Sequence, residues 1–149
     1  MKSSTISDLP RLFIDTWGWL VLEDARDPRY LEVHRIRRQY AEARRLWVTT
    51  DFVLDETITR LFARRPFGEA EEFCAGIFEE AKLGLLAVER ITPERFEKAY
   101  ALRLRYRDKP RISFTDLTSF AVMRELGLRH VLTADTHFAQ AHLGFHKVP

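Results

Sequence analysis

An α/β fold, with a mainly parallel five-stranded sheet sandwiched by helices, is predicted by two features of this sequence. Five short apolar runs, Leu12–Ile14, Leu46–Thr49, Leu85–Val88, Val131–Thr133 and Phe145–Val148, have the near-continuous hydrophobic character of strands buried on both faces. Helical patterns separate them, and every connection is long enough for a crossover between parallel neighbours. Internal repeats, low-complexity tracts and linkers are absent, so residues 1–149 read as one domain opened by a polar lead-in over residues 1–10.

After the first strand, Asp15-Thr16 ends the run and Trp17-Gly18-Trp19-Leu20 continues as a short helix or turn. Asp24 to Pro28 is loop. Arg29 to Arg45 forms a long amphipathic helix with Tyr30, Val33, Arg37 and Tyr40 along one side. Thr50 or Asp51 caps the next helix, which runs to about Arg64 and places Glu56 four residues before Arg60, a salt-bridge spacing. Pro66 and Gly68 precede a helix through Phe73, Ile77 and Phe78. Thr92-Pro93-Glu94 combines a capping hydroxyl with proline at the first helical position. The last long helix is opened by Thr115 or Asp116, carries Leu117, Phe120, Ala121 and Val122, and stops at Gly127.

Composition narrows the function classes. A chain of 149 residues buries about 68–70% of its unfolded surface without staples, and the lone Cys74 excludes an intrachain disulfide and reads as a buried, inert thiol. The apolar stretch from Leu12 to Leu22 is broken by Asp15 and followed by Glu23-Asp24, so neither a signal peptide nor a membrane span is expected, and the location is expected to be cytoplasmic. A net charge of +2 is too small for a polybasic protein and leaves room for an acidic site beside basic patches.

Asp15, Asp116 and Asp135 each fall at an element end on what should be one edge of the sheet, and Glu56 lies on the helix after the second strand. Any one of these aspartates alone reads as a helix cap. Converging carboxylates repel by about 4 kcal/mol per pair at about 4 Å with an effective dielectric near 20, so four together imply a cation. Hard oxygen ligands point to Mg²⁺ or Mn²⁺.

These residues resemble the PIN domain, and within it the VapC-type toxin ribonucleases of toxin–antitoxin pairs. The matching segments are Phe13-Ile14-Asp15-Thr16, Val53-Leu54-Asp55-Glu56-Thr57, Ser113-Phe114-Thr115-Asp116 and Leu132-Thr133-Ala134-Asp135-Thr136-His137-Phe138, in the family's order over most of the chain. The resemblance implies a three-layer α/β/α sandwich. It implies that Asp15, Glu56, Asp116 and Asp135 are the catalytic quartet, that Asp15, Asp116 and Asp135 hold Mg²⁺ or Mn²⁺, and that the Ser113 and Thr133 hydroxyls support them. It further implies RNA as substrate, a cognate antitoxin as partner and a homodimer. The chain departs from compact members in its longer lead-in and in three further acids, Asp51, Asp55 and Asp108.

Other chemistries fit less well. A phosphatase of the haloacid dehalogenase type needs an acid two residues after Asp15, where Trp17 stands, and a receiver domain needs an acid pair after the first strand. His34, His130, His137, His142 and His146 lack zinc spacing and read as surface or capping residues, and no glycine-rich phosphate loop is present. Arg103, Arg105, Arg107, Lys109 and Arg111, with Tyr106 among them, read either as a solvated helix end or as a ridge for RNA phosphates. Trp17, Trp19, Phe62 and Phe67 lie near element ends and are candidate anchors for a partner helix. Two function classes follow: a metal-dependent endoribonuclease, acting as a toxin or in RNA processing, and a PIN-like module that binds RNA or protein without cutting.

Overall fold

The computed structural model describes residues 9–149, so the polar lead-in lies outside the described residues except for Leu9 and Pro10. Five strands form one sheet in the order β3-β2-β1-β4-β5, every pair parallel. They are β1 (Leu12–Ile14), β2 (Trp47–Thr50), β3 (Leu86–Glu89), β4 (His130–Leu132) and β5 (His146–Val148). The helices are α1 (Thr16–Glu23), α2 (Tyr30–Glu42), α3 (Asp51–Arg64), α4 (Phe67–Lys82), α5 (Pro93–Arg105), α6 (Phe114–Leu126) and the short α7 (His137–Gln140). Four of the five strands start or end one residue away from the run that predicts them, and α7 has no counterpart in the sequence reading.

The topology matters more than these margins. From central β1 the chain moves outward to β2 and β3, then returns past β1 to β4 and β5. Right-handed crossovers therefore carry α1 to α4 over one face of the sheet and α5 to α7 over the other. The order reverses between β1 and β4, and the crevice beyond the carboxyl ends of two such strands is where open α/β sheets bind ligands. Asp15 immediately follows β1, and Asp135 lies three residues past β4.

The central strand is sealed by packing. Leu12, Phe13 and Ile14 are fully buried, and Phe120 of α6 meets Phe138 of α7 edge to face at 5.0 Å. The carboxyl end of β1 is fixed by Thr49, whose hydroxyl donates to the Ile14 carbonyl at 2.9 Å, while the Trp19 indole N–H reaches Thr49 Oγ1 at 3.3 Å. Trp19 is thus core, 1% exposed, and not the partner anchor its position predicts; Phe62 and Phe67 are exposed and touch each other at 5.0 Å.

Gly18 lets α1 lie directly on β4. A Cβ there would stand 2.8 Å from the Leu132 side chain and 3.0 Å from its carbonyl oxygen. We expect Gly18→Ala to destabilise the protein by about 1–3 kcal/mol, the usual cost of overpacking, in a denaturant titration. An unchanged midpoint would mean that α1 sits further from β4 than this packing requires.

Candidate active site

Each predicted acid can be tested against the cap that would make it ordinary. Asp15 occupies the N-cap position of α1, yet its side chain makes no capping bond. Its Oδ2 accepts instead from the Thr133 hydroxyl at 2.8 Å, across the switch point. The α6 helix is capped by Ser113, whose Oγ accepts from the Asp116 N–H at 3.0 Å. The cap is neither Thr115 nor Asp116, so the Asp116 carboxylate is released from that duty. Ser113 serves the acid through its backbone, by holding the helical turn that carries it.

Thr133 ties two acids together. Its oxygen donates to Asp15 and accepts from the Asp135 amide at 3.0 Å, all from a residue 1% exposed. The Asp135 Oδ1 in turn accepts from the His137 amide at 2.8 Å, which folds the chain into α7. That turn swings the His137 ring between two acids: Nδ1 lies 3.1 Å from Asp116 Oδ2 and 3.2 Å from Asp135 Oδ1. His137 is therefore neither a plain surface residue nor a plain cap. The missed signal was the Asp-x-His spacing at the end of a strand, where a turn bends the third residue back onto the first.

Glu56 stands on α3, with Oε2 accepting from the Thr16 hydroxyl at 3.0 Å and Oε1 paired with Arg60 at 2.8 Å. The additional acids go elsewhere. Asp51 accepts the Ile91 amide at 3.0 Å, Asp108 pairs with Lys109, and Asp55 is exposed.

Burial makes these charges costly. Desolvation is the main cause that lifts Asp15 to about 6, opposed by the Thr133 bond and reinforced by the charges of Asp135 and Glu56. Asp116 is raised too, first by desolvation and then by Asp15 and Asp135, with Glu56 adding to it. Four carboxylates thus lie within electrostatic reach of one another. Asp15 and Asp116 are each 5% exposed, so water screens them poorly.

The donor set fits a small divalent cation. Ligand atoms of Asp116, Asp135 and His137 all lie within 4.8 Å of one another, and Asp15 adds a carboxylate that repels Asp116. Carboxylate oxygens suit Mg²⁺ and Mn²⁺, and an imidazole nitrogen is a poorer partner for Mg²⁺ than for transition metals.

The basic segment does not line a single groove. Arg103 donates to three backbone carbonyls, Arg105 lines a groove between α5 and α6 with Lys98 and Arg124, and Arg107 is exposed. Lys109 and Arg111 line a different cavity of about 700 Å³, whose wall includes Thr136, His137 and Gln140 beside the acids.

Known proteins share this fold. The chain is 32% identical over 137 residues to the 23S rRNA-specific endonuclease VapC20 of Mycobacterium tuberculosis, covering 87% of this chain and 93% of that protein. The crystal structure of M. tuberculosis VapC20, described as a sarcin-ricin loop cleaving toxin, matches with a TM-score of 0.76 at 31% identity, over 92% of this chain and 98% of that one. DNA-bound VapBC from Salmonella typhimurium matches in fold, with a TM-score of 0.64 at 15% identity, over 94% of this chain and 98% of that one. The family model described as the PIN domain matches residues 12–142, from the first residue of β1 to beyond α7, and with it this chain belongs to the PIN domain family.

Proposed function

We propose that this protein is a metal-dependent endoribonuclease that hydrolyses RNA phosphodiester bonds and serves as the toxin of a toxin–antitoxin pair. The observation that carries the reading is the convergence of Asp15, Asp116 and Asp135 at the switch point of the sheet, with neither Asp15 nor Asp116 spent as a helix cap. Asp15, Asp116 and Asp135 would hold Mg²⁺ or Mn²⁺, with His137 beside them. When bound, the ion supplies Lewis acidity toward a phosphoryl oxygen and lowers the pKa of water.

The chain's own groups do the rest. Glu56 orients or deprotonates the attacking water, its carboxylate fixed from two sides by Thr16 and Arg60. Thr133 holds Asp15 and Asp135 in register, so neither acid must be ordered during the reaction. Arg105, Arg107, Lys109 and Arg111 contact the RNA backbone. Similarity to VapC20 makes ribosomal RNA the substrate class to test first, the VapBC match supports a cognate antitoxin as partner, and the family resemblance alone suggests a homodimer.

Expression alone should arrest growth, Asp15→Asn should relieve the arrest, and the product of a neighbouring gene should copurify and block cleavage. EDTA should abolish cleavage of RNA in vitro, and added Mg²⁺ or Mn²⁺ should restore it. Cleavage without growth arrest or partner would favour an RNA-processing nuclease, and RNA binding without cleavage in the metal-loaded protein would favour a binding module.

A further inference from the structure

The turn between α5 and α6, residues 106–112, does two things at once. It carries Lys109 and Arg111 into the cavity that His137 shares with the acid cluster, and it delivers the chain to Ser113 at the start of α6, three residues before Asp116. Regular structure contributes little to holding it: within the turn, the Lys109 N–H donates to the Tyr106 carbonyl at 3.0 Å and the Ile112 N–H to the Lys109 carbonyl at 3.2 Å. Arg103 supplies the remainder. Its guanidinium donates to the carbonyls of Ile112 at 2.6 Å, Tyr106 at 2.9 Å and Lys109 at 2.6 Å, so one side chain spans the first, middle and last carbonyls of the turn. The turn is also pinned to the far side of the cavity, since the Tyr106 hydroxyl donates to the Ala141 carbonyl at 2.7 Å.

We propose that Arg103 is a positioning residue, which holds the 106–112 turn as a preformed cradle so that Lys109 and Arg111 grip RNA backbone phosphate beside the acids. The inference rests on the endoribonuclease reading and assigns a division of labour within it. Arg103 spends its donors on carbonyls and touches no phosphate, whereas Lys109 and Arg111 present theirs to the cavity. The Lys109 ion pair with Asp108 is no obstacle, because exposed pairs of this kind are weak and give way to a phosphate. Only a planar guanidinium with five N–H donors can span the three carbonyls; an ammonium carries the same charge without the span.

The experiment is a comparison of Arg103→Met, Arg103→Lys and the double variant Lys109→Ala/Arg111→Ala, read by RNA cleavage, by the salt dependence of RNA binding and by hydrogen exchange. In both Arg103 variants the Lys109 and Ile112 amides should exchange faster. KM should rise about tenfold, as for a lost charged hydrogen bond, with kcat within about twofold. The slope of log K against log salt should flatten by about 1.4 in the double variant, about 0.7 per lost single-strand phosphate contact. Each Arg103 variant should flatten it in the same direction, and adding Arg103→Met to the double variant should produce little further change. If Arg103→Lys keeps the wild-type slope, or if the triple variant loses a further 0.7 or so, Arg103 contacts phosphate itself and the proposal is overturned. It is equally overturned if amide exchange quickens while KM and slope stay at wild-type values, because Arg103 then only stabilises the fold. A wild-type protein that neither binds nor cuts RNA would instead remove the endoribonuclease reading, whatever the exchange data show.

Discussion

Asp116→Asn will reduce RNA cleavage by about a thousandfold or more, since loss of an ion that stabilises the transition state by several kcal/mol, say about 4, corresponds to that factor. The change keeps the shape of the side chain and leaves the Asp116 N–H on Ser113 Oγ, so the helix start survives. What it removes is one carboxylate oxygen from a site where His137 already reaches Asp116 Oδ2 and Asp135 offers a ligand atom within 4.8 Å. Circular dichroism and melting should therefore report a folded protein, and isothermal titration should report weakened Mn²⁺ binding. Equal cleavage by the variant and wild type, with or without EDTA, would refute the metal-dependent mechanism.

The same substitution should make the metal-free protein more stable at neutral pH, an unusual outcome for a residue 5% exposed. Asp15 binds its proton in the folded state with a pKa of about 6, against an ordinary value of 3.8. The folded state therefore holds this proton more tightly than the unfolded chain does. The resulting stability is fully present below about pH 4 and is lost as pH rises through about 6. At 1.36 kcal/mol per unit the ceiling for Asp15 is about 3 kcal/mol. Asp116, raised in the same direction, extends the loss further upward in pH.

The metal-free wild type should thus melt several degrees lower at pH 8 than at pH 5.5, at about 2–4 °C per kcal/mol for a chain of this size. Mg²⁺ or Mn²⁺ should recover much of that loss, because a cation that binds the folded state alone stabilises it by mass action. Asp116→Asn should flatten the pH profile without metal and abolish the recovery with it. A wild-type melting temperature that climbs steadily from pH 5.5 to 8 in EDTA would mean that neither burial nor neighbouring charge makes these carboxylates costly, and the cation-site argument would lose its electrostatic basis.

Strand count, parallel pairing and the boundary positions of Asp15 and Asp135 are legible along the chain. Buried parallel strands must be apolar on both faces, so Leu12–Ile14 and Val131–Leu132 announce themselves in one dimension. Caps are equally local: Thr50 and Thr92 accept from the Val53 and Arg95 amides as their positions predict, and Gly127 takes the left-handed conformation that ends α6. Which acids are caps is a different kind of question. Asp15 stands at an N-cap position and is freed only because β4 lies beside β1 and brings Thr133 to its carboxylate, 118 residues away in sequence. The partners of His137 and Arg103 depend on the tertiary structure for the same reason. The ring of His137 meets Asp116 from an α7 turn whose position depends on the β4 end and the Phe120–Phe138 contact, and the Arg103 guanidinium turns inward because the carbonyls of an irregular turn, two of them accepting a single backbone amide, have lone pairs left for further donors. Periodicity and capping are short-range and can be read along the chain, whereas desolvation and side-chain partnership exist only once the sheet has brought distant segments together.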